Sequence, residues 1–233
     1  MTDSIEFTSA AAALEQVRDL GRRGEFFRQA DLAGAAVVSF PQEWALQHAH
    51  VLAIANAGGL THAKELYRDY CLGDIASVDA RTLKARLLKD TALAAAPEHR
   101  QRLLQEAARA YEAAIEGAAN AYYPQDNAAQ LYYLAGDREQ ALHHAGRVLT
   151  DLAGLEATGA DARWQLASRL NAHIIRGEFD KAQEISKDEY DALPGLQQGA
   201  IEYYRREVSG RETLISKAEY DESGPAIVHR KCF

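Results

Sequence analysis

The sequence predicts an all-α fold, a solenoid of stacked helix pairs, and three observations predict it. Composition is the first. Hydrophobic residues make up 47% of the 233, Ala and Leu dominate them, and only 5 prolines and 16 glycines interrupt the chain. Small, helix-favouring residues without β-branched runs suit helices that pack closely on helices. The second is a recurring phrase, a Gly turn followed by Ala at a fixed offset. It reads Gly58-Gly59-Leu60-Thr61-His62-Ala63, Gly136-Asp137-Arg138-Glu139-Gln140-Ala141 and Gly177-Glu178-Phe179-Asp180-Lys181-Ala182. A looser copy runs from Gly24 to Ala30, with the Ala one residue late. The third is that Pro41, Pro97, Pro124 and Pro194 all fall where the repeat phase starts a helix, the position proline tolerates best.

Taken in order, the pattern predicts helices near 9–21, 26–38, 42–57, 61–71, 79–95, 98–117, 125–135, 138–152, 161–176, 180–190 and 194–208. Each Gly ends a helix by taking the left-handed conformation cheaply. A polar residue then caps the next helix, Asp137 with Gln140 and Asp180 with Gln183. The Ala marks a close helix crossing, where bulk would force the helices apart. Behind it, positions at steps of three and four share one face: Ala63, Tyr67, Tyr70; Ala107, Tyr111, Ala114; Ala141, Ala145, Val148; Ala182, Ser186.

Anchor alanines at 30, 63, 107, 141 and 182 are separated by 33, 44, 34 and 41 residues. Two of these spacings match a tetratricopeptide-type helix pair of about 34 residues. The longer two imply insertions of about 7 to 10 residues, most simply in the loops near 72–79 and 153–161. The predicted fold is therefore a tetratricopeptide-like right-handed superhelix of about five pairs over 1–208, closed by the helix 194–208 as a cap. Residues 209–233 contain Gly210 and Ser223-Gly224-Pro225 and lack periodicity, which predicts a tail of low order or a short docked segment.

The segment 79–208 resembles the bacterial relatives of the TRAFs-binding domain, the tetratricopeptide-type regulatory region of the apoptosis-signal-regulating kinases. The resemblance rests on Arg81-Thr82-Leu83-Lys84-Ala85-Arg86-Leu87-Leu88-Lys89-Asp90, on Ala107 through Ile115, and on Tyr122-Tyr123-Pro124-Gln125-Asp126-Asn127-Ala128-Ala129. Leu134-Ala135-Gly136-Asp137 and the stretch around Trp164 and Ala182 continue it. Bacterial members carry Gly-Ile where this chain has Gln125-Asp126. The resemblance implies a scaffold or regulatory module, often attached to an effector domain.

Other classes are disfavoured. A net charge of −8 opposes a general nucleic-acid or anionic-membrane surface. Cys71 and Cys232 lie far apart and form no disulfide framework, so a reducing cytoplasm is the expected compartment. Met1 to Phe7 carries Asp3 and Glu6 without a basic segment and apolar core, so no signal peptide is expected. No run approaches 18 apolar residues, so no membrane span is expected. His48 and His50 point to different faces, as do His143 and His144, and no His-Glu-x-x-His or Cys-x-x-Cys phrase occurs. His229-Arg230-Lys231-Cys232 has ligand-like spacing but stands alone, so neither metal nor cofactor is expected. Cys71 reads as a small buried apolar residue at a helix end. With no Gly-x-Ser-x-Gly elbow, P-loop or Rossmann fingerprint, the chain is expected not to be an enzyme.

In tetratricopeptide folds the first helix of each pair lines a concave surface. The repeat phase projects His48, Asn56, Arg86, Lys89, Asp90, Asn127, Tyr133 and Asn171 toward it, with Trp164 near the rim. Lys89 and Asp90 could clamp a carboxylate or a backbone segment. Their structural alternative is pairing with neighbouring helices, and that of Asn127 is bracing the Pro124 turn. Arg81, Lys84, Arg86 and Lys89 make a basic cluster, read either as a solvated face or as a contact for an anionic partner. Trp44 and Trp164 read as core. The pairs Tyr122-Tyr123, Tyr132-Tyr133 and Tyr203-Tyr204 each place one ring inward and one outward, with Tyr133 and Tyr204 as outward anchors. The expected function is a non-catalytic scaffold or regulatory adaptor holding a peptide or protein partner in its concave groove. The alternative is a sensor of a small anionic ligand, a nucleotide or metabolite, in the same groove.

Overall fold

Residues 7–118, 121–155, 162–178 and 181–182 are described in the computed structural model. Among them the regular elements are all helical: α1 (Ala10–Arg22), α2 (Phe26–Ser39), α3 (Trp44–Asn56), α4 (Leu60–Asp69), α5 (Val78–Leu93), α6 (Pro97–Ile115), α7 (Tyr122–Leu134), α8 (Arg138–Leu152) and α9 (Ala162–Arg176), with a short 3-10 turn at Leu72–Asp74. The all-α class predicted from sequence holds for these residues. None of their helices is long and apolar enough to cross a membrane. The predicted helices over 180–190 and 194–208, and the predicted tail 209–233, fall outside the described residues apart from Lys181 and Ala182.

The glycine turns work as the sequence implies. Gly24, Gly58, Gly136 and Gly177 have φ of 73, 91, 81 and 72°. In each case the residue after the glycine donates its N–H back across the helix end: Glu25 to Leu20, Gly59 to Ile54, Asp137 to Tyr132 and Glu178 to His173, at 3.0, 2.9, 2.9 and 2.9 Å. The glycine N–H itself reaches the carbonyl three residues earlier, as from Gly24 to Gly21 and from Gly136 to Tyr133. This pair of bonds is the Schellman motif, which satisfies carbonyls that the helix leaves orphaned. Four copies of one local motif explain why helix ends were readable. Asp137 also caps α8, its Oδ1 accepting from the Gln140 N–H at 3.2 Å.

The anchor alanines 30, 63, 107, 141 and 182 are all buried. In the three close copies, the Ala N–H closes the first helical turn, as Ala63 does onto Gly59 and Ala141 onto Asp137. The loose copy has a local reason. There the buried Gln29 takes that place, and its carboxamide lies so close to Gly21 that a Cβ on Gly21 would sit 2.5 Å from Nε2. The small residue has moved to the other helix of the crossing.

The prolines are less uniform than predicted. Pro97 opens α6 as expected. Pro41 instead lies in the turn ahead of α3, and α7 starts at Tyr122, which makes Pro124 its third residue. Pro97 and Pro124 lie in first turns, whose donors have no intrahelical acceptors, so the missing N–H leaves no helical bond unmade there.

The chain divides into two compact units, Met1–Ala95 and Ala96–Phe233. In the first, each helix packs on the next, and α1 also touches α3 while α3 touches α5. Its core advances along the chain in steps. Val17, Ala33 and Ala49 pack together; Ala13, Ala36, Val37 and Leu46 gather Phe7 and Phe40; Val51, Ala63, Leu72, Leu83 and Leu87 gather Trp44, Tyr67 and Ile75. In the second unit α6, α7, α8 and α9 pack in succession, and α7 also touches α9. Within it α7 is buried without interruption from Pro124 to Tyr132.

One reading is corrected here. Cys71 is exposed, not a buried apolar filler, and its φ of 52° places it in the left-handed region. It takes at the end of α4 the left-handed backbone that glycine takes at the other turns, its N–H reaching the carbonyl of Arg68 at 2.9 Å.

Candidate functional site

The eight residues projected onto the inner wall fall into three groups. Arg86 and Asp90 pair with each other one turn apart, Nε to Oδ2 3.7 Å, with side chains 16% and 28% exposed. Lys89, between them, is buried at 2%. Lys89 is thus buried, and Arg86 and Asp90 are partly so. Spacing put them on one helix but carried no information about what covers that helix.

His48 is half-buried and its Nε2 lies 3.3 Å from the backbone carbonyl of Asp79. A neutral ring donating from Nε2 makes that bond. Burial pushes the His48 pKa down, opposed by the Asp79 charge. Asn56 is half-buried at the C-terminal end of α3. The rings of Trp44 and His48 meet edge to face with centroids 6.4 Å apart.

The second unit holds the third group, and here the structure shows more than the sequence suggested. Asn127, buried at 1%, donates its Nδ2–H to the carbonyl of Tyr123 at 3.0 Å and so braces the first turn of α7. Asn171, buried at 5%, donates Nδ2–H to both carboxylate oxygens of Asp126 at 3.3 Å. Ser168 adds an O–H donated to Asp126 Oδ2 at 3.0 Å. A carboxylate taken out of water must be met by donors, and α9 supplies two of them. Asp126 thereby ties α7 to α9.

A second set ties α6, α7 and α8. The His144 ring lies between Gln125 and Glu112, with Nδ1 2.6 Å from Gln125 Oε1 and Nε2 2.9 Å from Glu112 Oε1. Tyr132 donates its hydroxyl to the other oxygen of Glu112 at 2.7 Å and stacks on His144, centroids 5.7 Å apart and planes 9° apart. Burial lowers the His144 pKa, and Glu112 opposes that shift in part. The neutral ring donates from Nε2 to Glu112 and takes a donor at Nδ1 when the Gln125 carboxamide turns its NH2 inward; the charged ring donates to both neighbours. Burial, then the bond to Glu112, raises the Tyr132 pKa, so the phenol stays protonated.

Sequence reasoning missed Asp126, Gln125, His144, Glu112 and Tyr132 as a set. The signal available was that Gln125, Asp126, Asn127 and Gln130 spread polar groups over about half of the α7 surface, opposite Ala128, Leu131 and Tyr132.

Tyr133 is the residue of the eight that stands clear, 49% exposed beside the buried Tyr132. That pair divides inward and outward as predicted. Tyr122 and Tyr123 are both half-buried instead, because they open α7. Trp44 and Trp164 are half-buried, and Trp44 packs against the cluster around Val51. Tyr204 and the His229–Cys232 stretch lie outside the described residues. His143 and His144 diverge as expected, the first exposed and the second buried. Among the described residues no three His, Cys, Asp or Glu side chains gather in a group that could hold a metal ion.

Comparison with known proteins adds one partial likeness. No family model matches the chain, and no solved structure does. Over 76 residues the chain is 34% identical to actin-related protein 7 of Arabidopsis thaliana, a stretch that covers 33% of this chain and 20% of that protein. The chain thus spans about a fifth of the curated relative it matches.

Proposed function

We propose that the chain is a non-catalytic scaffold or regulatory adaptor of tetratricopeptide type, holding a peptide or protein partner on the surface that the odd-numbered helices make within each unit. The observation that carries this reading is the stacking of like on like within each unit: α1 on α3, α3 on α5, and α7 on α9. Helix pairs stacked in series bring their first helices side by side and leave a broad surface for a partner. Four identical glycine turns and five buried anchor alanines support the same repeat. The resemblance of 79–208 to the bacterial relatives of the TRAFs-binding domain points the same way.

On this reading recognition uses a preformed surface, so little ordering entropy is lost on binding. Tyr133 offers aromatic area, and His48 and Asn56 offer polar contacts at the half-buried edge of α3. Arg86 and Asp90, paired with each other and partly exposed, add charge on α5.

The test is hydrogen exchange of the full chain, alone and with the partner recovered from its native cell. Amide exchange is expected to slow on α3, α5, α7 and α9. Slowing confined to the even-numbered helices, or a purified chain that turns over a substrate, overturns the reading.

A further inference from the structure

In the first unit, α4 and α5 bound a cleft of about 700 Å³ lined by residues of that unit alone. From α4 come Lys64 and Arg68, one turn apart on a single face; from α5 comes Lys84. Leu60, Tyr67, Leu87 and Leu88 provide apolar lining. The three cations face a single lining carboxylate, Glu65, whose Oε2 is 3.7 Å from His62 Nδ1. In a chain of net charge −8 this is a local reversal of sign.

Among the described residues, none of the three cations meets a carboxylate. Lys64 donates its Nζ–H across the cleft to Thr91 Oγ1 at 3.3 Å, while Thr91 donates its own hydroxyl to the carbonyl of Leu87 at 2.7 Å. Arg68 donates Nε–H to the carbonyl of Lys64 at 3.4 Å, which leaves the rest of its guanidinium fork uncommitted. Lys84 is exposed and makes no ion pair among the described residues. The N-terminal end of α4 opens onto the same space through Leu60 and Thr61, and neither a side-chain cap at Gly59 nor an acidic residue in the first turn meets its N–H groups. An uncapped helix N-terminus adds partial positive charge at the Leu60–Thr61 end of the cleft.

We infer that this cleft binds a small organic anion, a carboxylate or phosphate monoester carried on an apolar body. The volume falls in the range of about 300–1,000 Å³ typical of small-molecule sites. The anionic group meets Lys64, Lys84 and the Arg68 fork, and the apolar body covers Leu87, Leu88 and Tyr67. Thr91 is displaced as the acceptor of Lys64 by a charged oxygen, a stronger partner than a hydroxyl. The competing account is a solvated face, with lysine stems lying over leucines and their heads in water. The site rests on the cleft's own residues, and its test uses no peptide partner.

The two accounts separate by titrating the full chain with phenylpropanoate, phenyl phosphate and phenylpropylamine, followed by calorimetry and by melting temperature. The bound anion is expected to raise the melting temperature saturably and to weaken with added salt. Lys64→Ala with Lys84→Ala is expected to lower its affinity at least about tenfold while leaving the unliganded melting temperature unchanged. Should the double variant melt early, Arg68→Gln serves as the second test and is expected to weaken the anion in the same direction. Binding of one anion and not the other identifies the head group and supports the site. Equal binding of the amine, affinity unchanged in the variants, or no binding of either anion overturns it.

Discussion

The first unit meets its helices through alanine, valine and leucine, with Gln29 and Lys89 as its buried polar residues among those described. The second buries Gln125, Asp126, Asn127, Gln130, His144, Gln165, Ser168 and Asn171 beside a comparable set of alanines and leucines. The two thus share a local grammar of glycine turn and alanine crossing but differ in what fixes their helices relative to one another. An apolar contact tolerates small shifts in register, because it is non-directional. The Asp126 and His144 sets do not, because each hydrogen bond specifies a distance and an angle. The second unit is therefore the one in which a single polar substitution should matter most.

The largest expected effect follows from that contrast. Asp126→Ala strips the acceptor from Ser168 and Asn171 in a buried setting and should destabilise by about 3 kcal/mol in denaturant unfolding. Asp126→Asn keeps an acceptor and should cost less. Gln29→Ala, the matching polar deletion in the first unit, should cost about 1 kcal/mol. Equal losses at Asp126 and Gln29 would erase the distinction between the interiors.

A smaller effect is the dependence on pH. The folded pKa of His144 lies below its unfolded value of 6.5. Above that value neither state binds the proton and stability is flat; below it the unfolded chain takes up a proton that the fold resists, so stability falls as pH falls, until the folded value is passed. His48 and His50 are shifted down by burial as well, so the first unit carries the same sign. Glu178 acts lower on the scale. Its bonds to Arg176 and His173 hold its carboxyl at about 2 against an ordinary 4.5, so its contribution fades only between those values. His144→Gln should reduce the slope of unfolding free energy against pH just below 6.5 and leave the slope below 4.5 unchanged. An unaltered slope just below 6.5 would place the titration in the first unit.

How much of this was legible in the sequence follows from range. The Schellman turns at Gly24, Gly58, Gly136 and Gly177 are made by residues within six positions of one another, so the helix ends could be read from short phrases. Burial at Ala63 and Ala141 followed from the same phrases, and at Ala107 from its face shared with Tyr111 and Ala114. Arg86, Lys89 and Asp90 show where that reasoning stops: their spacing was right for one face, but their burial depends on distant residues. The Asp126 set joins positions more than 40 apart, 126 to 168 and 126 to 171. Nothing local announces that pairing, and the Gln125-Asp126 dipeptide registered only as a departure from the family it resembles. Cys71 was misjudged because its backbone, not its side chain, sets its role.

The claim beneath all of this is that alanines behind glycine turns mark crossings where successive helix pairs nest. Ala63→Leu in the first unit and Ala141→Leu in the second, each fully buried, test it directly by denaturant unfolding. The expected result is destabilisation of both by overpacking, about 1–3 kcal/mol and similar in size, because the crossing is the feature the two units share. Wild-type stability in both variants would contradict the repeat itself.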